Sequence, residues 1–184
     1  VDSLLERGRP ERLGAVCSAE GVYFAVFSQR AEAIDLCVFD DSGTQELQRY
    51  RLQGPDDGIF HGLLRGAKPG LRYGYRAHGA YKPEHGRRFN AAKVLLDPYS
   101  RAIAGHFDWQ DQHRGCLSDH PEGDRYPDPC DNAATALKSV VLADAGPAGL
   151  LTKLSPYFAD AAKWVFGHAG GLGSVLVQIL LVLP

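Results

Sequence analysis

The chain has no lopsided charge: 20 basic residues face 22 acidic ones, for a formal net charge of -2. Phosphate backbones attract a basic stripe, and none is visible, so no nucleic-acid partner is expected, whereas neutral sugars stay open. Cysteine is scarce. Cys17, Cys37, Cys116 and Cys130 show neither CxxC pairing nor the density of a secreted disulfide scaffold, so a reducing, cytoplasmic setting is expected. The amino end lacks the charged start, apolar stretch and small-residue cleavage site of a signal peptide. The chain opens on Val1 and stops at Pro184 inside an apolar run, which leaves open that both ends are cut.

What is present is ordinary for a globular protein: 45% hydrophobic and 23% charged residues, with length for one domain and an appendage. A domain of about 150 residues buries roughly 70% of its unfolded surface, enough for a real core. From Gly21 to His78 short runs alternate with period two and are separated by turn residues. Val22, Phe24 and Val26 share one face of a strand, and Ile34, Leu36 and Val38 share one face of the next. Asp40 to Gly43 then form a hairpin turn. Further strands are expected over 46–52, 59–64 and 71–77, with Gly54 to Gly58 and Lys68 to Gly70 as turns. Tyr73 and Tyr75 point into the core with hydroxyls at its rim, and Arg72 and Arg76 point away. No helical period interrupts this stretch, which argues against βαβ units and for antiparallel sheets.

Between about Ser100 and Ala134 the residues turn to His, Asp, Gly and Pro, as in a long loop. Its acids, Asp119, Glu122, Asp124, Asp128 and Asp131, lie among Gly and Pro with no apolar wall to tune them, so they read as solvated. His113, Cys116, His120 and Cys130 form a metal-like set without the tight paired spacing of zinc sites, and no metal or cofactor is expected. A Cys116–Cys130 disulfide would require an oxidising compartment. From Leu150 the period becomes helical, with Leu151, Leu154, Phe158, Ala161, Ala162 and Val165 on one stripe, and Leu172 to Leu183 is almost purely apolar. Three readings stand for this tail: a helical hairpin, a membrane segment interrupted by His168, Gln178 and glycines, or foreign sequence joined by truncation or fusion. The last is favoured.

One ordered series of motifs runs through most of the chain. It comprises Leu13-Gly14-Ala15, Gly21 to Ser28, Leu36-Cys37-Val38-Phe39-Asp40, Gly58-Ile59-Phe60-His61-Gly62, Pro69 to Arg76, Gly86 to Tyr99 with Arg87-Arg88-Phe89-Asn90 and Leu96-Asp97-Pro98, and Lys138-Ser139-Val140-Val141. Over roughly residues 8 to 141 this order strongly resembles the start of bacterial glycogen-debranching enzymes. The resemblance implies a mainly β, immunoglobulin-like sandwich of the early-set type, classed as carbohydrate-binding module family 48. It also implies a following glycoside hydrolase family 13 barrel that cleaves α-1,6 branch points of glycogen or limit dextrins. The expected organisation is an extension over 1–11, the sandwich over 12–105, an irregular linker over 106–141 and a helical apolar tail over 142–184. Three features depart from the family: the tail, Phe60 where the family has Trp, and Ala91 where it has Pro.

Glycoside hydrolysis by retention needs two carboxyl groups about 5–5.5 Å apart on a rigid scaffold. The family's scaffold is a barrel of about 250 residues, which the residues after Val141 are too few to build, so this chain is expected to be inactive alone. Two roles remain, α-glucan binding and packing on the barrel. A second class of reading is an interaction domain tethered to a partner or membrane by its apolar tail. Sugar binding lays flat sugar faces on exposed aromatic rings, so Phe60, Tyr81 and Trp109 are the candidate platforms, with His61, Lys82 and Asp108 as polar neighbours. For each aromatic the core reading is the heavier one, for Phe60 most of all. The segment from Phe89 to Tyr99, unusually apolar for a loop, is either a docking surface or a strand closing the sandwich edge.

Overall fold

The computed structural model describes residues 5–117 and 119–143. The chain divides after Ala143 into two compact units, and the apolar tail of the second lies outside the described residues. The strands are β1 (Leu5–Glu6), β2 (Gly14–Cys17), β3 (Gly21–Phe27), β4 (Ala33–Phe39), β5 (Glu46–Arg51), β6 (Gln53–Asp56), β7 (Ile59–Arg65), β8 (Arg72–His78), β9 (Tyr81–Lys82), β10 (Arg87–Arg88), β11 (Ile103–Ala104) and β12 (Lys138–Val140). All described pairings are antiparallel.

The first sheet runs β1-β7-β3-β2, with β6 also on β7, and the second runs β11-β12-β8-β4-β5. Register follows from the alternation. Val22, Phe24 and Val26 stand opposite Leu64, Gly62 and Phe60, so one face of β3 and β7 is wholly apolar or small. Leu36 and Val38 stand opposite Tyr75 and Tyr73 in the second sheet. These faces meet in one core that also takes in Leu5, Leu52 and Val141. The Phe24 ring of one sheet meets the Tyr73 ring of the other edge-on at 4.9 Å, and Tyr73 meets Tyr75 at 5.8 Å. Such pairs contribute about 0.5–1.5 kcal/mol each beyond the area they bury.

Four observations revise the sequence expectations. Gly54 to Asp56, placed in a turn, belong to β6 and pair with β7 as part of an edge strand, where a proline is tolerated because the ladder does not need its missing N–H. The hairpin turn tightens onto Asp57 and Gly58, both at positive φ. The Tyr73 hydroxyl does not reach a solvated rim but donates to the buried Asp97 carboxylate at 2.7 Å. Finally, the stretch 106–141 closes with β12, which joins the second sheet between β8 and β11.

The outer face of the second sheet is covered by its own chain, and this cover positions the candidate site. Cys37 and Phe39 of β4 pack under Val94, Ala133 and Ala136. Leu95 exchanges both backbone hydrogen bonds with Tyr75, at 2.7 and 2.8 Å, so this part of Phe89–Tyr99 closes the edge of β8. Gly74 makes that approach feasible: a Cβ there would lie 2.6 Å from Val94 Cγ1 and 3.0 Å from the Leu95 carbonyl oxygen.

Candidate functional site

The long loop is held down by buried cations. Lys93, on the segment covering the sheet, donates from Nζ to the Gln112 carbonyl at 2.7 Å, the Cys130 carbonyl at 2.6 Å and Asp128 Oδ2 at 2.8 Å. Asn90 donates to the carbonyls of Gly115 and Asp128, and Asn132 Oδ1 accepts from the Val94 amide. Arg76, fully buried on β8, binds Glu46 and Asp131 at 2.8 Å and the Ala91 carbonyl at 3.0 Å. The acids expected to be solvated are thus divided. Asp128 is buried on Lys93, Asp131 clamps Arg76 and Asp124 pairs with Arg88.

The electrostatics follow from burial and partners. Burial works to raise the Asp128 pKa, but hydrogen bonds from Lys93 and the Cys130 amide outweigh it and hold the group below its ordinary value. Burial works to lower Arg76, and Asp131 and Glu46 overcome it, so the guanidinium stays charged. Burial raises Asp97, against hydrogen bonds from Tyr73 and the Tyr99 amide. Burial, then the Asp97 carboxylate, push Tyr75 well above the usual phenol range. Lys138 is lowered to about 8 by burial and then by the nearby Arg76 charge. Its ammonium contacts the carbonyls of Ala133 and Ala136 and lies 4.5 Å from the Phe39 ring centroid.

The clamped loop and the Phe89–Tyr99 segment border a groove of about 700 Å³. Its lining draws on core residues Val26, Ile34 and Tyr75, on Phe89 and Leu95 of the covering segment, and on Phe107, Trp109 and His113 of the loop. Trp109 is 67% exposed and meets Phe107 edge-on at 6.0 Å, and His113 lies against Phe107 at 4.8 Å. Three buried side-chain atoms among the described residues make no hydrogen bond, and two, the Tyr75 hydroxyl and His113 Nε2, belong to residues lining this groove.

The candidate residues do not form one site. Phe60 is 1% exposed and lies in the core, so its ring is not available as a sugar platform. His61 is equally buried, bonds Asp56 at 2.9 Å and lines a separate polar pocket of about 360 Å³ with Arg7 and Gln53 to Asp56. Tyr81 and Lys82 sit on the β9–β10 hairpin, where the Tyr81 hydroxyl donates to the Asp124 carbonyl at 2.8 Å. Asp108 and Trp109 share the exposed loop, and Asp108 faces His106 at 3.2 Å. Phe107 was not singled out from the sequence, and His113 was weighed there only as part of a metal-like set. The spacing Phe107-x-Trp109, which can set both rings on one side of an extended segment, was the available signal. Among the described residues no group of three or more His, Cys, Asp or Glu has a metal-holding arrangement, and Cys37, Cys116 and Cys130 are free thiols.

Two stacked antiparallel sheets with a clamped loop and an aromatic groove define a β-sandwich module. Residues 12–100 match the family described as carbohydrate-binding module 48, the isoamylase N-terminal domain. It is 48% identical over 134 residues to the glycogen debranching enzyme of Salmonella typhi, a match covering 71% of this chain and 19% of that enzyme. The same identity and coverage of this chain hold for the glycogen debranching enzyme of Salmonella paratyphi B, of which 18% is covered. The chain thus spans about a fifth of the length of the curated relatives it matches. Among solved structures it is similar to the catalytic module of the pneumococcal glycogen-degrading virulence factor SpuA, at 18% identity and a TM-score of 0.49, over 75% of this chain and 17% of that one. The Group B Streptococcus pullulanase SAP in complex with maltotetraose is 17% identical with a TM-score of 0.46, over 73% and 15% of the two chains.

Proposed function

We propose that this chain is the α-glucan-binding amino-terminal module of a glycogen-debranching enzyme, with an immunoglobulin-like sandwich of the early-set type and no hydrolytic chemistry of its own. The observation that carries the binding reading is Trp109, a large aromatic left 67% exposed at a groove whose surface is mostly apolar. Burying its face against a sugar ring removes apolar area from water on both partners. The groove volume falls in the range of roughly 300–1,000 Å³ common for small-ligand sites. Lys93 and Asp128 keep the loop in place before ligand arrives, which reduces the entropy lost on binding.

The low cysteine content without paired spacing supports a cytoplasmic setting, where thiols stay reduced. Among the described residues no helix is long and apolar enough to cross a membrane.

Co-sedimentation of the complete chain with glycogen tests the reading. The chain is expected in the pellet, and Trp109→Ala is expected to lower retention at least about tenfold, the scale set by truncating a central aromatic anchor. Because Trp109 packs on a surface loop, its replacement should leave the far-ultraviolet spectrum unchanged. Equal retention of both proteins would exclude the groove as the sugar site.

A further inference from the structure

The charge of the groove is one-sided. Arg30, Arg87, Arg88 and Lys93 line it, and no Asp or Glu is found among the described residues that do. Two of these cations are neutralised by the fold, Lys93 by Asp128 and Arg88 by Asp124. Arg30 and Arg87 are exposed and make no ion pair among the described residues. The acids nearest them in sequence, Glu32 and Glu84, do not line the groove. A chain with a formal charge of -2 has acid enough to pair them, so the local excess is a property of this surface and not of composition.

From this juxtaposition of exposed aromatic rings and unpaired guanidinium groups, we propose that the groove takes an α-glucan bearing phosphate monoesters, with Arg30 and Arg87 receiving the phosphate. The proposal rests on the glucan-binding reading above and specifies its substrate. A neutral glucose polymer accepts hydrogen bonds from guanidinium groups through its hydroxyls but offers no charge to compensate them. A phosphate monoester is close to doubly charged at neutral pH and offers three acceptor oxygens. Guanidinium is the side chain whose planar fork matches that geometry with two parallel hydrogen bonds. The rings then hold the sugar face while the arginines select for the ester. An acidic peptide could satisfy the arginines too, but it would leave the rings of Trp109 and Phe107 without a flat partner.

Calorimetric titration of the complete chain with maltoheptaose, maltoheptaose 6-phosphate and oligoglutamate separates these outcomes. The phosphorylated sugar is expected to bind about tenfold more tightly than the neutral one at low salt, with the preference shrinking as salt screens it. Arg30→Ala combined with Arg87→Ala is expected to bring the ratio of the two affinities close to one. Both residues are exposed, so the fold is not at stake. Equal affinity of the wild-type chain for both sugars would overturn the phosphate assignment while leaving glucan binding intact. Binding of oligoglutamate as tight as that of the phosphorylated sugar would overturn it in favour of an acidic peptide. Failure of both sugars to bind would overturn the glucan reading itself.

Discussion

Replacing Lys93 by Met removes one ammonium group and keeps most of the apolar stem, so the change isolates the charge that clamps the loop. Lys93 and Asp128 side chains are 5% and 8% exposed, and the ammonium also serves the carbonyls of Gln112 and Cys130. Without it, Asp128 keeps the hydrogen bond from the Cys130 amide but loses its counter-charge, and two carbonyls lose a donor. Removing one partner of a buried pair costs about 3–5 kcal/mol. Because Asp128 retains that amide, the lower end, about 3 kcal/mol, is expected. Against a total of about 5–15 kcal/mol this is a large fraction. At a slope of roughly 1–3 kcal/mol per molar urea it lowers the midpoint by about 1–3 M. Asp128→Asn should be destabilising in the wild-type background but should recover stability in the Lys93→Met background, because it removes the stranded charge. Urea unfolding of the four proteins followed by circular dichroism gives the coupling directly. A Lys93→Met midpoint indistinguishable from wild type, or an Asp128→Asn effect equal in both backgrounds, would refute the clamp.

Gly74→Ala places a methyl 2.6 Å from Val94 Cγ1, so the covering segment must lift from β8, and a loss of about 1–3 kcal/mol with faster exchange of the Leu95 amide is expected. Amide exchange by NMR checks it. Lys138 gives a pH signature: its folded pKa, about 8, lies below the unfolded value, so between these the unfolded chain binds more protons and stability rises with pH. Stability of the wild type relative to Lys138→Met should therefore increase from pH 7.5 to pH 10 in urea titrations. Asp128 behaves in the opposite range. With its folded pKa depressed, its contribution is present above the ordinary carboxylate value and lost as pH falls through the folded one, so the wild-type advantage over Asp128→Asn should shrink on acidification.

The main strands were legible because the alternation in Val22 to Phe27 and Ile34 to Phe39 is strict and the turns between them are marked by Asp, Gly and Pro. The edge strand at Gln53–Asp56 was hidden by the same markers, since Gly54 and Pro55 look like punctuation wherever they stand. Arg76, Lys93 and Lys138 were harder still. Charged residues are almost never fully buried unless paired, and the carboxylate partners of Lys93 and Arg76 lie 30 to 55 residues away, beyond any local pattern. For that reason the acidic loop read as solvated although two of its carboxylates are the counter-charges that hold it. Trp109 was legible as an exposed loop aromatic, but the groove beside it exists only because Leu95 and the clamped loop come together in space.

The chain has two tryptophans, Trp109 and Trp164, so a Trp164→Phe background leaves Trp109 as the sole indole reporter. Titrating that protein with maltoheptaose while following tryptophan emission tests sugar binding at the groove most directly. A saturable change in emission is the expected result. Unchanged emission up to about 10 mM sugar, a concentration that would reveal binding of about -3 kcal/mol, would contradict it.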